Sequence, residues 1–271
     1  MVKAIPESLR EALALRADTN LVPYAGGTDL MVRGSSNAEY LFLGRVPELR
    51  RITADGETIR IGAAVTFTEA LESDAVPALL KEAVSRIAAP AIRNAGTFGG
   101  NLSNGSTKAD SAVALLAADA RVRLQSLRGE RILAIDEFCL AKGKRDLGED
   151  ELVTEILLPA GGLENYSFEK VGGRKALAIS RVSFAGVFCA DEGRITKAAA
   201  AFGAVSDSFL RFRELEARLI GKTIEEAREL KPAYLKAYAE KLELKDGRVS
   251  AEYRRTVCLN LLKAFLEKFG V

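Results

Sequence analysis

Histidine is absent from the 271 residues. Its absence excludes His general bases, His metal ligands and the Ser-His-Asp and Cys-His forms of nucleophilic catalysis. Cysteine is scarce: Cys139, Cys189 and Cys258 stand far apart with no CxxC pair. An all-cysteine iron-sulfur cluster or zinc site within the chain therefore lacks ligands, and any such centre must belong to a partner. Neither sign of charge dominates, with 39 Lys plus Arg against 37 Asp plus Glu. No field exists to gather nucleic acid, so a polyanion-coating role is disfavoured. No apolar run approaches the roughly 20 residues that span a bilayer. The longest candidate, around Ala112 to Ala118, ends at Asp119, and membrane insertion is not expected. Glu7, Arg10 and Glu11 interrupt what a signal peptide would keep apolar, and the expectation is a reducing, cytoplasmic location.

What is present is ample material for a core: 48% of residues are hydrophobic, and at roughly 150 residues per domain the length suggests about two domains. Leu9, Ala12 and Leu13 recur at helical spacing within Pro6 to Ala17, and Leu21 to Tyr24 reads as a strand entering a glycine turn. Further strands are expected near Tyr40 to Leu43 and Thr58 to Ile61. Thr66 with Glu69 forms a capping box, and an amphipathic helix is expected from about Pro77 to Ala88. A helix beginning at Asp110, an alternating strand Arg121 to Gln125 and a strand Leu152 to Leu158 follow. Pro159, Gly161 and Gly162 mark the best boundary. Beyond it come strands near Tyr166 to Val171, Val182 to Ala190 and Ile195 to Phe202. Helices are then expected over Phe209 to Ile220, after Thr223 with its capping partner Glu226, and over Ala251 to Phe269. The simplest arrangement for this second part is a three-stranded antiparallel sheet with helices packed on it.

Familiar nucleotide motifs fail on inspection. Gly221-Lys222-Thr223 resembles the end of a phosphate loop, but the glycine required five residues earlier is Glu216. No GxGxxG is present, so a Rossmann site has no support. Two other glycine clusters remain. In Ala25-Gly26-Gly27-Thr28-Asp29-Leu30 the paired glycines allow positive φ and let successive N–H groups converge on an anion, with the Thr28 hydroxyl as a further donor. The plainer alternative is an ordinary strand-to-helix turn capped by Thr28 or Asp29. Arg93 to Asn101 is more specific: its small residues offer backbone N–H groups, and Thr97 and Asn101 offer a hydroxyl and an amide, to a polyoxygenated ligand. Asp110, nine residues on, offers a carboxylate for sugar hydroxyls, or is a plain helix cap. Two glycine cradles with a carboxylate nearby favour a pyrophosphate bridged to sugar hydroxyls.

In order and spacing, these two clusters with Asp110, the strand Glu151 to Pro159, the lysine within Phe168 to Ala176 and the late Ser250 to Val257 resemble the FAD-binding medium subunit of molybdenum hydroxylases. That family includes xanthine dehydrogenases, aerobic carbon monoxide dehydrogenase flavoproteins and 4-hydroxybenzoyl-CoA reductases. The resemblance covers nearly the whole chain. It implies an α+β protein with a vanillyl-alcohol-oxidase-type FAD-binding domain over 1–159, made of α/β subdomains of about 1–53 and 54–159. A C-terminal domain of the carbon monoxide dehydrogenase flavoprotein type would occupy 165–271. By motif position, Tyr24, Ala25, Gly26, Gly27, Thr28, Asp29 and Leu30, with Thr97, Phe98, Gly99, Gly100 and Asn101, would hold the pyrophosphate and ribityl region. Asp110 would bind flavin-chain hydroxyls, and Ile87 and Val153 would lie against the cofactor. Lys170 matches the family lysine, while many relatives carry an Asp where this chain has Leu177 or Ala178.

Lys170 also has a rationale of its own. An ammonium near the pyrimidine edge would stabilise the negative charge left by two-electron reduction and raise the reduction potential. The competing reading is a solvated lysine on an edge strand. With no histidine, FAD should be held noncovalently; iron-sulfur clusters and the molybdenum cofactor should reside only on a small and a large partner subunit. The implied job is to accept electrons from the iron-sulfur subunit and deliver them to NAD or another external acceptor, with no acid-base catalytic residue in this chain. Two alternatives stand beside it: a stand-alone FAD-dependent oxidoreductase of the same flavin fold, and a nucleotide-binding scaffold for complex assembly.

Overall fold

The computed structural model of the protein describes residues 1–34 and 37–271. The chain divides into two compact units that do not follow one cut in the sequence. The first comprises Met1–Val76, Ile87–Ser106 and Asp119–Ala160; the second comprises Pro77–Arg86, Thr107–Ala118 and Gly161–Val271.

In the first unit, strands Val2–Ala4, Tyr40–Phe42 and Val22–Tyr24 form a parallel sheet with Tyr40–Phe42 in the centre. Parallel neighbours require crossovers. One is helix Leu9–Asp18, which starts where the Ser8 hydroxyl accepts from the Glu11 N–H at 3.2 Å. It presents Ala12 and Leu13 to a small core with Leu21, Leu41, Leu43, Val46 and Leu49. The helical pattern read from Pro6 thus begins after Ser8, because the serine takes the capping position. A second sheet, antiparallel, has the order Ile52–Ala54, Thr58–Gly62, Leu152–Pro159, Arg121–Ser126, Gly129–Ala134. Its middle strand, Leu152–Pro159, is buried at six of its eight residues. The Thr66–Glu69 capping box opens helix Phe67–Glu72 as its sequence signature requires.

The second unit is built on an antiparallel sheet ordered Leu210–Arg211, Arg194–Gly203, Val182–Asp191, Tyr166–Val171. Side chains alternate between its faces. Phe184 meets Phe265 of helix Ala251–Lys268 at 5.6 Å between centroids, and a Cβ on Gly186 would lie 2.5 Å from the same ring. On the other face, Gly203 is pressed against Val113 of helix Asp110–Ala117, whose eight residues are all buried. Helix Ile224–Lys241 contributes Ala227, Tyr234 and Tyr238 to the core.

The three long strands expected here are present, and the sheet carries one further strand of two residues. The single helix expected over Phe209 to Ile220 is replaced by that strand and a short helix, Arg213–Glu216. The cause is tertiary. Arg211, on the strand, donates from Nε to Glu216 at 2.9 Å and from Nη1 to the Leu116 carbonyl at 2.6 Å. A buried arginine finds its acceptors this way only if the chain leaves helical geometry before it.

Candidate functional site

Strand Val22–Tyr24 delivers the chain into the first glycine turn, where Gly27 has a φ of 68°. That left-handed conformation favours glycine, and a Cβ there would also meet the Tyr24 ring at 2.6 Å. The N–H groups of Gly26, Gly27 and Thr28 meet no protein acceptor among the described residues. Successive unpaired amides in such a turn form an anion-binding concavity. The turn is held from one side by Asn104, whose amide donates to the Asp29 carboxylate at 2.8 Å.

The second glycine cluster is organised differently. Thr97 caps helix Phe98–Ser103, its hydroxyl accepting from the Gly100 N–H at 3.1 Å. The Phe98 and Gly99 amides donate to the Val65 and Ala63 carbonyls, and that of Asn101 to the Thr97 carbonyl. The amides of Phe98, Gly99, Gly100 and Asn101 are therefore taken up in starting this helix and tying it to Ala63 and Val65, while the Thr97 N–H meets no protein acceptor among the described residues. The glycines serve close approach instead. A Cβ on Gly99 would lie 2.6 Å from the Ala63 Cβ, and one on Gly26 would lie 1.7 Å from the Ala95 carbonyl oxygen, so the two turns abut. The Thr97 hydroxyl, accepting from Gly100, keeps its own proton to donate.

Together the turns line a cleft of about 300 Å³. Residues 25–30 line it, as do Thr97, Gly99, Gly100, Asn101 and Val153. Tyr24 and Phe98 do not; Tyr24 packs against Tyr40 and Phe42, and Phe98 is buried edge-on against Phe67. The carboxylate of Glu151, also on the cleft, is bound by Arg131 through two contacts of 2.8 Å, which hold it below the usual carboxylate range. Ile87 is half-buried and outside the cleft lining. It belongs to a turn in which Ala88 takes a φ of 41° and Arg93 Nη1 donates to the carbonyls of Ile87 and Ala88 at 2.8 and 2.9 Å.

Asp110 and Lys170 lie in the second unit and meet each other there. Lys170 Nζ stands 2.7 Å from Asp110 Oδ2 and also donates to the Arg86 carbonyl at 2.8 Å. The Ser180 hydroxyl donates to Asp110 Oδ1 at 2.6 Å. Asp110 is not the helix cap; that position is Ala109, and no cap hydrogen bond is made. Although its strand is the sheet edge, the Lys170 side chain is only 9% exposed. It is a buried, ion-paired lysine rather than a solvated one.

The description "FAD binding domain in molybdopterin dehydrogenase" matches residues 3–161, and "CO dehydrogenase flavoprotein C-terminal domain" matches residues 167–269. The chain belongs to the family of FAD-binding subunits of molybdenum hydroxylases. It is 35% identical over 221 residues to the xanthine dehydrogenase FAD-binding subunit of Escherichia coli, covering 77% of this chain and 75% of that one. To the carbon monoxide dehydrogenase medium chain of Hydrogenophaga pseudoflava it is 30% identical over 274 residues, covering 96% and 94%. The solved structure of carbon monoxide dehydrogenase from Hydrogenophaga pseudoflava that lacks the Mo-pyranopterin moiety superposes with a TM-score of 0.88 at 28% identity, covering 98% of this chain and 96% of that one.

As a member of this family the chain carries an FAD-binding domain and is an oxidoreductase subunit. The cleft fits a dinucleotide: amides without a protein acceptor among the described residues stand in one turn, and the other turn abuts it so closely at Gly26 and Ala95 that no side chain fits between them. Several residues that shape this FAD-binding subunit had no sequence signal. Asn104 and Ser180 are ordinary polar residues until their partners, 75 and 70 positions away, are brought to them. Arg93 stood beside the second glycine motif, but its clamp on Ile87 and Ala88 is a tertiary feature. Arg16 lines the cleft from a helix that reads only as amphipathic. Among the described residues no helix is long and apolar enough to cross a membrane, and no cluster of three or more His, Cys, Asp or Glu could hold a metal ion.

Proposed function

We propose that this FAD-binding subunit works inside a multisubunit molybdenum hydroxylase in the cytoplasm, accepting electrons from a small iron-sulfur subunit and passing them to NAD or another external acceptor. A large subunit would hold the molybdenum cofactor. The observation that carries the reading is the cleft in which three unpaired amides, Gly26, Gly27 and Thr28, stand against a glycine-lined helix start. Relatives named as a subunit and as a medium chain of dehydrogenases support a multichain setting. So does the scarcity of cysteine and the lack of histidine in this sequence.

Bound FAD supplies the exchange between one-electron and two-electron transfer. The protein's residues supply position and charge. Residues 25–30 receive the diphosphate: the amides of Gly26, Gly27 and Thr28 donate, and the Asp29–Asn104 bond keeps their turn in shape. Thr97 donates its hydroxyl proton, while Gly99, Gly100, Asn101 and Val153 bound the same cleft. Tyr24, Phe98 and Ile87 act from behind, through packing and the 87–88 turn. Asp110 and Lys170 are assigned on motif position, to flavin-chain hydroxyls and the pyrimidine edge. Their mutual ion pair gives each a fixed orientation. With no histidine available, the cofactor is held noncovalently. The domain assignment, 1–159 for FAD binding and 165–271 for the C-terminal domain, belongs to the same proposal.

The test is affinity purification of the tagged chain from its native cells. Co-purifying subunits that bring two-iron two-sulfur absorbance and molybdenum support the reading. Turnover of a small-molecule donor by the isolated FAD-loaded chain, with no partner recovered, contradicts it.

A further inference from the structure

Four ionisable residues line the cleft: Arg16, Asp29, Arg145 and Glu151. Three have their polar atoms engaged by a neighbour or lie open to water. Asp29 accepts from Asn104, Glu151 is bound by Arg131, and Arg145 is exposed. Arg16 differs. Its helix, Leu9–Asp18, delivers it half-buried into the cleft lining, where Nη1 donates to the Leu21 carbonyl at 3.0 Å. Its Nε is fully buried and meets no acceptor. A guanidinium has five donors and no acceptor. Nε is closed to a ligand, but the Nη2 donors are not sealed off and meet no protein acceptor among the described residues. Burial lowers the Arg16 pKa from its ordinary value, against the pull of Asp150 and Glu149, and the group remains a cation.

A dinucleotide diphosphate carries two negative charges, and amides alone neutralise them only in part. We propose that Arg16 is a further binding residue of this cleft, directing its spare guanidinium donors to the FAD diphosphate opposite the amides of Gly26, Gly27 and Thr28. The inference rests on the FAD reading of the cleft and adds to it a cation outside both glycine motifs. The simpler role, tying the end of helix Leu9–Asp18 to Leu21, accounts for a donor on Nη1 and leaves those of Nη2 without a protein acceptor among the described residues.

The experiment uses the full chain stripped of flavin, with affinity for FAD read by quenching of flavin fluorescence and affinities for ADP and adenosine read by competition. Arg16→Met is expected to weaken FAD and ADP alike by about ten-fold or more, the size of one lost charge-assisted hydrogen bond, and to leave adenosine unaffected. Arg16→Lys should recover part of the loss. The thermal midpoint of the stripped chain is read alongside, because the substitution removes both an unpaired buried donor and the Nη1 bond to the Leu21 carbonyl. Unchanged FAD and ADP affinities in Arg16→Met overturn the assignment. Should the midpoint fall, the ligands decide: equal losses for ADP and adenosine mark a disturbed fold and overturn it, while a loss confined to the diphosphate-bearing ligands upholds it. A wild-type chain that takes up no FAD overturns the reading on which the assignment rests; a wild-type chain that does, beside a variant of equal affinity, overturns the Arg16 role alone.

Discussion

Gly26 faces the backbone of Ala95 so closely that a Cβ on it would lie 1.7 Å from the Ala95 carbonyl oxygen. Two glycine turns some 70 residues apart in sequence are thereby joined backbone to backbone. Gly26→Ala must push them apart. Overpacking of this kind costs about 1–3 kcal/mol, so the variant should unfold at lower denaturant and lose flavin together. A variant with wild-type stability and wild-type flavin content would contradict the contact.

Gly100 has a different neighbourhood. It is exposed on the cleft, and a Cβ there would meet only the Thr97 hydroxyl, at 2.9 Å. Gly100→Val should therefore leave a folded but colourless protein, with its branched side chain filling space meant for the ligand. Circular dichroism and the flavin absorbance band, read on the same sample, separate the two effects. Retained absorbance would count against the cradle.

The Asp110–Lys170 pair is buried on both sides, at 5% and 9% side-chain exposure. Removing one partner strands a buried charge, which costs about 3–5 kcal/mol. Lys170→Met and Asp110→Leu should each destabilise strongly, and the double variant by much less than their sum, in a denaturant-melt cycle. Where Lys170→Ala still folds with FAD, its flavin midpoint potential should drop. An unchanged potential would leave Lys170 as the structural partner of Asp110 alone.

Burial pushes the Cys139 and Cys258 thiols up from 9.0 to about 12. The folded chain holds these protons more tightly than the unfolded chain does. Their contribution to stability is thus complete below pH 9 and is lost as the pH rises from 9 toward 12. Denaturant midpoints should fall across that window and fall less in a Cys139→Ala, Cys258→Ala variant. Equal pH dependence in both would show that other groups dominate the alkaline limb.

Much of the framework was legible in the sequence because its signals are local. The capping boxes at Thr66 and Thr223, the apolar strand through Leu152 and the long strands of the C-terminal sheet all appear where their patterns place them. The short edge strands Val2–Ala4, Ile52–Ala54 and Gly129–Ala134 were not foreseen, since three to six residues with one paired neighbour carry little periodicity. The segment Phe209 to Ile220 carries a helical pattern in sequence because the buried pairing of Arg211 with Glu216 is invisible until the chain folds. At the site, the glycine motifs announced a cleft, but not the division of labour between them. Composition favours donor amides equally in both turns; only the Thr97 cap and the carbonyls of Ala63, Val65 and Thr97 show that residues 98–101 have spent theirs.

The central claim is that the amides of Gly26, Gly27 and Thr28 grip the diphosphate of FAD. It is tested most directly by titrating the purified, flavin-free chain with FAD and with riboflavin while recording the visible absorbance spectrum. Saturable, perturbed flavin bands with FAD at micromolar concentration, and far weaker uptake of riboflavin, which lacks the diphosphate, are the expected result. A folded chain that leaves the FAD spectrum unchanged, or takes up riboflavin as readily, would contradict it.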